Sequence, residues 1–441
     1  MNSLLLSLAA VAVVLGVVVL VHEWGHFVAA KIFGVGVVVF SLGYGTRLWG
    51  WKRNGTDYRI SALPLGGYVR LAGDNPIEDR TGAPDEFLSR PRWQRVLIYC
   101  AGPFMNFVLA LVVATGIFLI LGVPIPVFMT QPVTIAAVPA QSNAETAGLK
   151  PDDKIIKLAT IQNPTWEQAY TYLSQAPAGS AVDLEVERGG QHLPLSVKIA
   201  NGPDVEKTLG DPLLQPVISE VAAGMPADRA GIRADDRVVS IDGQKIVTWP
   251  QLQASVQASH GASVHVVVQR NGEEKQFDVP TVRGQPELGQ PDYMIGASRT
   301  DPVVYRPIGT LKAIRAGGTA TLSMMVEVVN VVKELITGRV SIKQLQSVVG
   351  ITHESGQAAR RGPVDFVTWL AIISVNLGVL NLLPIPILDG GHILLLGIEG
   401  ALRRDLSLAV KERIVQVGVV FLLVIFAIVM YNDVARFVPH H

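Results

Sequence analysis

The chain has 441 residues, 49% hydrophobic and 17% charged, with a mean hydropathy of +0.35, which is too apolar for an ordinary soluble enzyme. Lysine plus arginine and aspartate plus glutamate each number 37, so no global field points to nucleic acid. A single cysteine, Cys100, excludes an internal disulfide and a cysteine-based zinc site. It reads as a small packed hydrophobe in a helix.

The first apolar run, from about Leu4 to Lys31, is long enough to span a bilayer. A signal peptide is the alternative, but no Lys or Arg precedes Lys31 and the run outlasts an h-region of roughly 7–15 residues. A retained helix is expected. Near its end stands Val21-His22-Glu23-Trp24-Gly25-His26. On a helix, His22 and His26 are one turn apart on one face, about 6 Å along the axis. Ionisable groups at membrane depth are costly and usually functional. H-E-x-x-H supplies two zinc ligands and a glutamate general base. Counted back from Lys31, His26 lies about 7 Å and His22 about 13 Å from that end.

Between Lys31 and Arg95 ten Lys or Arg face six Asp or Glu, a basic excess that marks the cytoplasmic side. Val35 to Phe40 and Tyr68 to Leu71 are strand-like, punctuated by Gly43, Gly45, Asn54-Gly55 and Gly66-Gly67. This β region is either plain scaffold or an open edge for a substrate backbone. A second spanning helix runs from about Val96 to Leu121, where Asn106 reads as interhelical glue. Then Ile135 to Val138 and Ala147 to Ile156 recur as Ile218 to Val221 and Ala230 to Val239, with Thr165-Trp166 recurring as Thr248-Trp249, all at an offset of 83. That is a duplicated domain, and its strands, Gly-x-x-x-Asp-Asp turn and post-Trp helix resemble PDZ domains. A spacer role is the alternative to peptide binding.

Pro307 to about Arg339 reads as an interfacial amphipathic helix, with a buried helix under the repeats as the alternative. A third apolar helix starts near Phe366 and meets Pro384-Ile385-Pro386, after which Leu388-Asp389-Gly390-Gly391-His392 leads back into apolar sequence. A fourth runs from about Ile414 to Met430, preceded by Arg403, Arg404, Lys411 and Arg413. The expected fold is a polytopic α-helical membrane protein with about four transmembrane helices, a membrane-associated β region and two inserted PDZ-like α+β domains. Its parts are helix one (1–33), the β region (34–95), helix two (96–122), the repeats (127–205 and 213–285), the amphipathic region (305–345), helix three with Leu-Asp-Gly (365–400) and helix four (413–431).

Catalytic zinc takes three protein ligands and leaves one position for water. Asp389 is the best third ligand, a carboxylate on a Pro-broken, Gly-flanked turn within a membrane segment. A helix N-cap is its bland alternative, and His392 is a weaker rival.

Taken together, the chain resembles the site-2 protease family of intramembrane zinc metalloproteases. The likeness is carried by His22-Glu23-x-x-His26, Phe40-Ser41-Leu42-Gly43-Tyr44-Gly45, Pro64 to Val69, Gly102-Pro103-x-x-Asn106-Phe107, the repeat, and Asn376 to Asp389. It implies His22, His26 and Asp389 as ligands of Zn2+ and Glu23 as the catalytic base. It further implies that Asn376 and Asn381 hold substrate and that Gly66, Gly67 and Tyr68 contact its unwound backbone. The implied activity is cleavage within transmembrane segments, as in regulated proteolysis of an anti-sigma factor after a first cut or of signal-peptide remnants. Its implied setting is the bacterial inner membrane, among lipid, with the site toward the cytoplasm and the repeats in the periplasm. Where the family carries a Gly-Pro-Ile type motif before helix three, this chain has Ser347-Val348-Val349-Gly350-Ile351. Two other classes compete: an inactive membrane PDZ adaptor or chaperone, disfavoured by the intact Glu23 and histidines, and a metal transporter. The transporter needs further polar groups along several helices, and between Val415 and Met430 only Gln416 is polar.

Overall fold

The computed structural model describes residues 3–74, 82–200, 205–222, 224–284, 291–338 and 347–437. Of the expected bounds, residues 1–2, 75–81, 201–204, 223, 285 and 339–345 lie outside these. The chain divides into two compact units, Met1–Gly122 with Pro307–His441, and Val123–Arg306.

The first unit opens with α1 (Ser3–Ile32), apolar on all sides as a helix in lipid must be. Strands β1 (Val37–Arg53) and β2 (Thr56–Leu71) follow, longer than the sequence signals. They turn at Asn54-Gly55, both at positive φ, the usual chemistry of a two-residue hairpin. Each strand is bent into two arms. Phe40, Ser41 and Leu42 pair with Val69, Tyr68 and Gly67 on one side and with Tyr58, Arg59 and Ile60 on the other. The Gly67–Leu71 arm is thereby left at the margin of the sheet. Helix α2 (Arg92–Ile120) comes next.

The inserted unit begins with β3 (Val123–Pro126). Its first copy holds α3 (Asn143–Thr146), β4 (Lys154–Leu158), β5 (Ile161–Gln162), α4 (Trp166–Gln175), β6 (Ala181–Arg188), β7 (Gln191–Lys198) and α5 (Val205–Leu209). The second holds β8 (Glu220–Val221), α6 (Pro226–Ala230), β9 (Arg237–Ile241), β10 (Gln244–Lys245), α7 (Trp249–Ala258), β11 (Val264–Arg270) and β12 (Glu273–Val279). Short β13 (Val282–Arg283) pairs with β14 (Tyr293–Met294), β15 (Ala297–Ser298) pairs with β8, and β16 (Val303–Arg306) returns to β3. Both sheets have one order, β5-β4-β6-β7 and β10-β9-β11-β12.

The duplication reaches single hydrogen bonds. Ile155 N–H donates to Val133 O at 2.9 Å, and Val238 N–H donates to Pro216 O at 2.8 Å, at the offset of 83. Thr165 with Gln168 and Thr248 with Gln251 form capping boxes on the post-Trp helices. Asp153 and Asp236, both fully buried, take the Lys150 and Arg233 N–H groups at 2.9 Å and a two-pronged guanidinium from Arg188 and Arg270. Those partners make two buried carboxylates tolerable.

Asp211 joins the copies. Its backbone bonds to Ala136 and Ala137 of the first, both at 2.8 Å, and its carboxylate takes the Thr248 hydroxyl of the second at 3.1 Å. Burial pushes this carboxyl up to about 6, against the lowering by Thr248. A folded-state pKa above the unfolded value means that the native state binds more protons between about pH 4 and 6. Stability of this joint is therefore fullest below about pH 4 and falls as pH rises through about 6, by up to about 3 kcal/mol. Amide protection around Thr248, corrected for intrinsic exchange, is expected to be higher at pH 5 than at pH 7, and Asp211→Asn to flatten that difference.

Back in the first unit, α8 (Thr310–Ile336) lays Met324, Met325 and Val328 against Ala110 of α2 and Ala371, Val375 and Val379. This one-sided packing fits the amphipathic pattern. Helix α9 (Val348–Arg361), N-capped by Ser347, was not anticipated. It lies on α1, where Gly356 meets Ser7, and its Ser355 hydroxyl accepts the Trp369 indole N–H at 3.0 Å. The third apolar segment is two helices, α10 (Pro363–Asn381) and α11 (Asp389–Leu402), split at the Pro384-Ile385-Pro386 turn. Helix α12 (Leu408–Phe437) closes the unit. Among the described residues, four helices, within α1, α2, α10 and α12, are long and apolar enough to cross a membrane.

Candidate metal centre

His22 and His26 share a face of α1, and α2 reaches that face because small residues let the backbones approach. A Cβ on Gly25 would collide with the Ala101 carbonyl, and one on Gly102 with His26 Nε2. Each imidazole is steadied by α2 at its other nitrogen. His26 Nδ1–H donates to Ile98 O at 2.8 Å. The Asn106 amide lies 3.1 Å from His22 Nδ1 and is wholly buried. Its Nδ2 stands at that distance while its Oδ1 has no hydrogen-bond partner among the described residues. Turning the amide over, which the hydrogen-bond network favours, lets Oδ1 accept Nδ1–H, and both histidines are then left with an unprotonated Nε2 aimed at one point. The Ser374 hydroxyl donates to the Asn106 backbone carbonyl at 2.8 Å and so ties α10 to the same spot.

Asp389 arrives from the start of α11. The preceding turn wraps tightly, since side chains on Gly390 or Gly391 would strike the Leu382 and Ile385 carbonyls. Ile387 sits at φ 96, a strained conformation for a β-branched residue, worth about 1–3 kcal/mol. Asp389 is the first helical residue and makes no capping bond. Its Oδ2 instead lies 3.2 Å from His22 Nε2 and 3.5 Å from His26 Nε2, and the two Nε2 atoms are 3.2 Å apart. Three ligands about 2.0–2.1 Å from one zinc at tetrahedral angles stand about 3.3–3.4 Å from one another. The three atoms fit that triangle, with His22 only 6% exposed. His392 is elsewhere, stacked on Tyr99 at 4.8 Å.

A cavity of about 360 Å³ opens on this cluster, lined also by Glu23, Tyr44, Gly67, Tyr68, Tyr99 and Asn381. Glu23 takes a backbone hydrogen bond from Val69. A Cβ on Gly67 would stand 3.5 Å from Glu23 Cγ and 2.7 Å from Ser41 O, so the β arm runs directly over the carboxylate. Tyr44 stacks on Tyr68 at 5.7 Å and packs against Gly66. Asn381 Nδ2 is 3.3 Å from His22 Nε2. Asn376 is not in the lining; its amide donates to Ile372 O at 2.8 Å, one turn back on its own helix.

Tyr44, Tyr99 and Ile387 also line the cavity without a sequence signal of that role, and Asn106, which reads in the sequence as interhelical glue, faces an imidazole instead. Its only signal was a polar residue one turn after the small Gly102. Replacing Asn106 by Ala is expected to weaken metal binding about 10–100-fold, the usual weight of an outer partner, as read by competition with a zinc chelator.

The model of Peptidase family M50 matches residues 10–425. The regulator of sigma E protease of Salmonella typhi is 32% identical over 464 residues, covering 99% of this chain and 100% of the relative. The regulator of sigma-E protease RseP of Escherichia coli K12 is 31% identical over 459 residues, with 99% and 100% covered. A relative in Vibrio cholerae, 31% identical over 464 residues, is named a zinc metalloprotease. A match to a peptidase family over residues 10–425 meets a ligand triangle of zinc's size between α1 and the start of α11. The chain belongs to Peptidase family M50, the site-2 proteases, and is a zinc-dependent metalloendopeptidase of the membrane.

Proposed function

We propose that this protease cuts peptide bonds inside transmembrane segments, with His22, His26 and Asp389 holding zinc and Glu23 as the base. The observation that carries the reading is the meeting of Nε2, Nε2 and Oδ2 within 4.8 Å beside Glu23 in one cavity. Bound zinc supplies a Lewis acid for the scissile carbonyl and a water acidic near neutral pH. The Glu23 carboxylate takes the proton of the attacking water and passes it to the leaving nitrogen. Ile98 O and Asn106 keep both imidazoles in one tautomer throughout.

A substrate helix hides its carbonyls in its own hydrogen bonds, and unwinding it in lipid costs several kcal/mol per bare group. The Gly66-Gly67-Tyr68 arm receives that backbone by strand addition, and the Asn381 amide donates to it. Asn376, bonded within α10, takes part only if that bond opens. The two copies in Val123–Arg306 act as PDZ-like domains, spanning about 127–205 and 213–285, that screen or bind the substrate's outer part. The basic excess between α1 and α2 sets the site toward the cytoplasm and the repeats in the periplasm. The names of the relatives point to membrane regulators of a sigma factor as the substrate class.

Full-length protein in lipid nanodiscs, given a single-pass membrane peptide, is expected to cut within the apolar segment, as mapped by mass spectrometry, and to stop with a zinc chelator. Cuts confined to soluble flanks would overturn the intramembrane reading.

A further inference from the structure

Besides its packing on α9, helix α12 comes close to α11 and the turn before it at two points. Lys411 Nζ lies 2.6 Å from Oε1 of the buried Glu399, and a Cβ on Gly418 would stand 2.5 Å from Pro386 O. About 10 Å of helix separates these points. Between them α12 stands off α11 and leaves a cavity of about 480 Å³. Its walls divide by polarity. Phe87, Leu88, Leu395, Leu396 and Val415 make an apolar floor, while Arg95 and Glu412 bring opposite charges to it.

Arg95 is the telling residue. It lies in the first turn of α2, is 8% exposed, and its Nε has no hydrogen-bond partner. A buried guanidinium nitrogen without an acceptor is costly, so an acceptor from outside is the natural complement. The α2 N-terminus beside it, begun by Pro91 without a side-chain cap, favours an anionic group at the same place. Glu399 does not supply one, since its Oε1 already takes Lys411 and the Leu406 N–H at 2.9 Å. Glu412 is exposed and, among the described residues, has no ion pair or hydrogen bond. Asp74, whose Oδ2 takes the Leu71 N–H at 2.9 Å, adds negative charge to the far wall. With Lys411 taken by Glu399, Arg95 and the exposed Glu412 are left as opposite charges on the cavity, which suits a zwitterion better than an anion. The outer face of α12 exposes Val417, Val420, Phe421 and Val424, so the gap borders the hydrocarbon.

We propose that this cavity holds one amine-headed zwitterionic phospholipid of the surrounding bilayer. Its phosphodiester sits on Arg95, its ammonium turns to Glu412, and an acyl chain lies along Leu395, Leu396 and Val415. Tyr99, Phe87 and Asp74 line this cavity and the metal-site cavity alike, so the lipid stands one side chain from the catalytic space.

The test offers delipidated full-length protein equal amounts of dioleoyl phosphatidylethanolamine, phosphatidylcholine and phosphatidylglycerol and counts retained lipid by native mass spectrometry. One phosphatidylethanolamine per chain is expected, favoured over phosphatidylglycerol roughly tenfold, the weight of one charge-assisted contact. Arg95→Gln lowers retention of every lipid by a similar factor. Glu412→Gln, at an exposed position, keeps lipid but loses the preference for the amine head. Val415→Trp fills the gap and expels the lipid while thermal unfolding stays cooperative. No stoichiometric lipid, equal or better retention of phosphatidylglycerol, or unchanged selectivity in Glu412→Gln each overturns the proposal.

Discussion

Replacing Glu23 by Gln is expected to cut peptide hydrolysis by about 10²–10⁴-fold, the range that a positioned proton carrier contributes, with zinc content per chain unchanged. Glu23 lies outside the ligand triangle of His22, His26 and Asp389, so its charge is not needed to hold the metal. Glutamine keeps the shape that fits beneath Gly67 and can still accept the Val69 N–H. What it loses is the capacity to take a proton from water and return it to nitrogen. Single-turnover cleavage of a membrane peptide, with zinc measured by atomic absorption on the same sample, separates the two roles. Cleavage within tenfold of the parent would move the base elsewhere, and loss of zinc along with activity would make Glu23 a structural support.

How much of this was legible before the structure depended on whether the physics is local. His22, Glu23 and His26 were readable because helical spacing alone puts two imidazoles on one face. Asp389 was readable because the two prolines break the helix and a carboxylate at that depth has few other uses. The repeat could be read because each copy reuses the same local devices, such as the Thr165 and Thr248 caps. By contrast, the doubled β arms are set by pairing of residues far apart, and nothing in Phe40 or Ser41 announces two partners. Asn106 read as glue because its contact with His22 spans 84 positions. For Asn376 the motif gives the residue but not its partner: in this structure its amide donates within its own helix. The strain at Ile387 had no sequence signal, because a β-branched residue is the last choice for a positive φ.

Asp389→Ala is expected to remove zinc-dependent stabilisation and activity together. In the parent, zinc binds the folded state, so unfolding moves upward with free zinc as RT ln(1 + [L]/Kd). Two histidines remain in the variant, an i, i+4 pair short of the three protein ligands that a catalytic site uses. Its affinity loss should exceed the roughly 10–100-fold expected for Asn106→Ala, because a ligand is lost rather than its support. The apo variant has a separate reason to fold. Asp389 makes no capping bond to α11, and the turn before it is held by backbone approaches at Gly390 and Gly391. Melting in chelator should therefore change little, while the upward shift with added zinc should disappear. An unchanged zinc-dependent shift would mean that another group completes the site, with Asn381, 3.3 Å from His22 Nε2, the nearest candidate to test next.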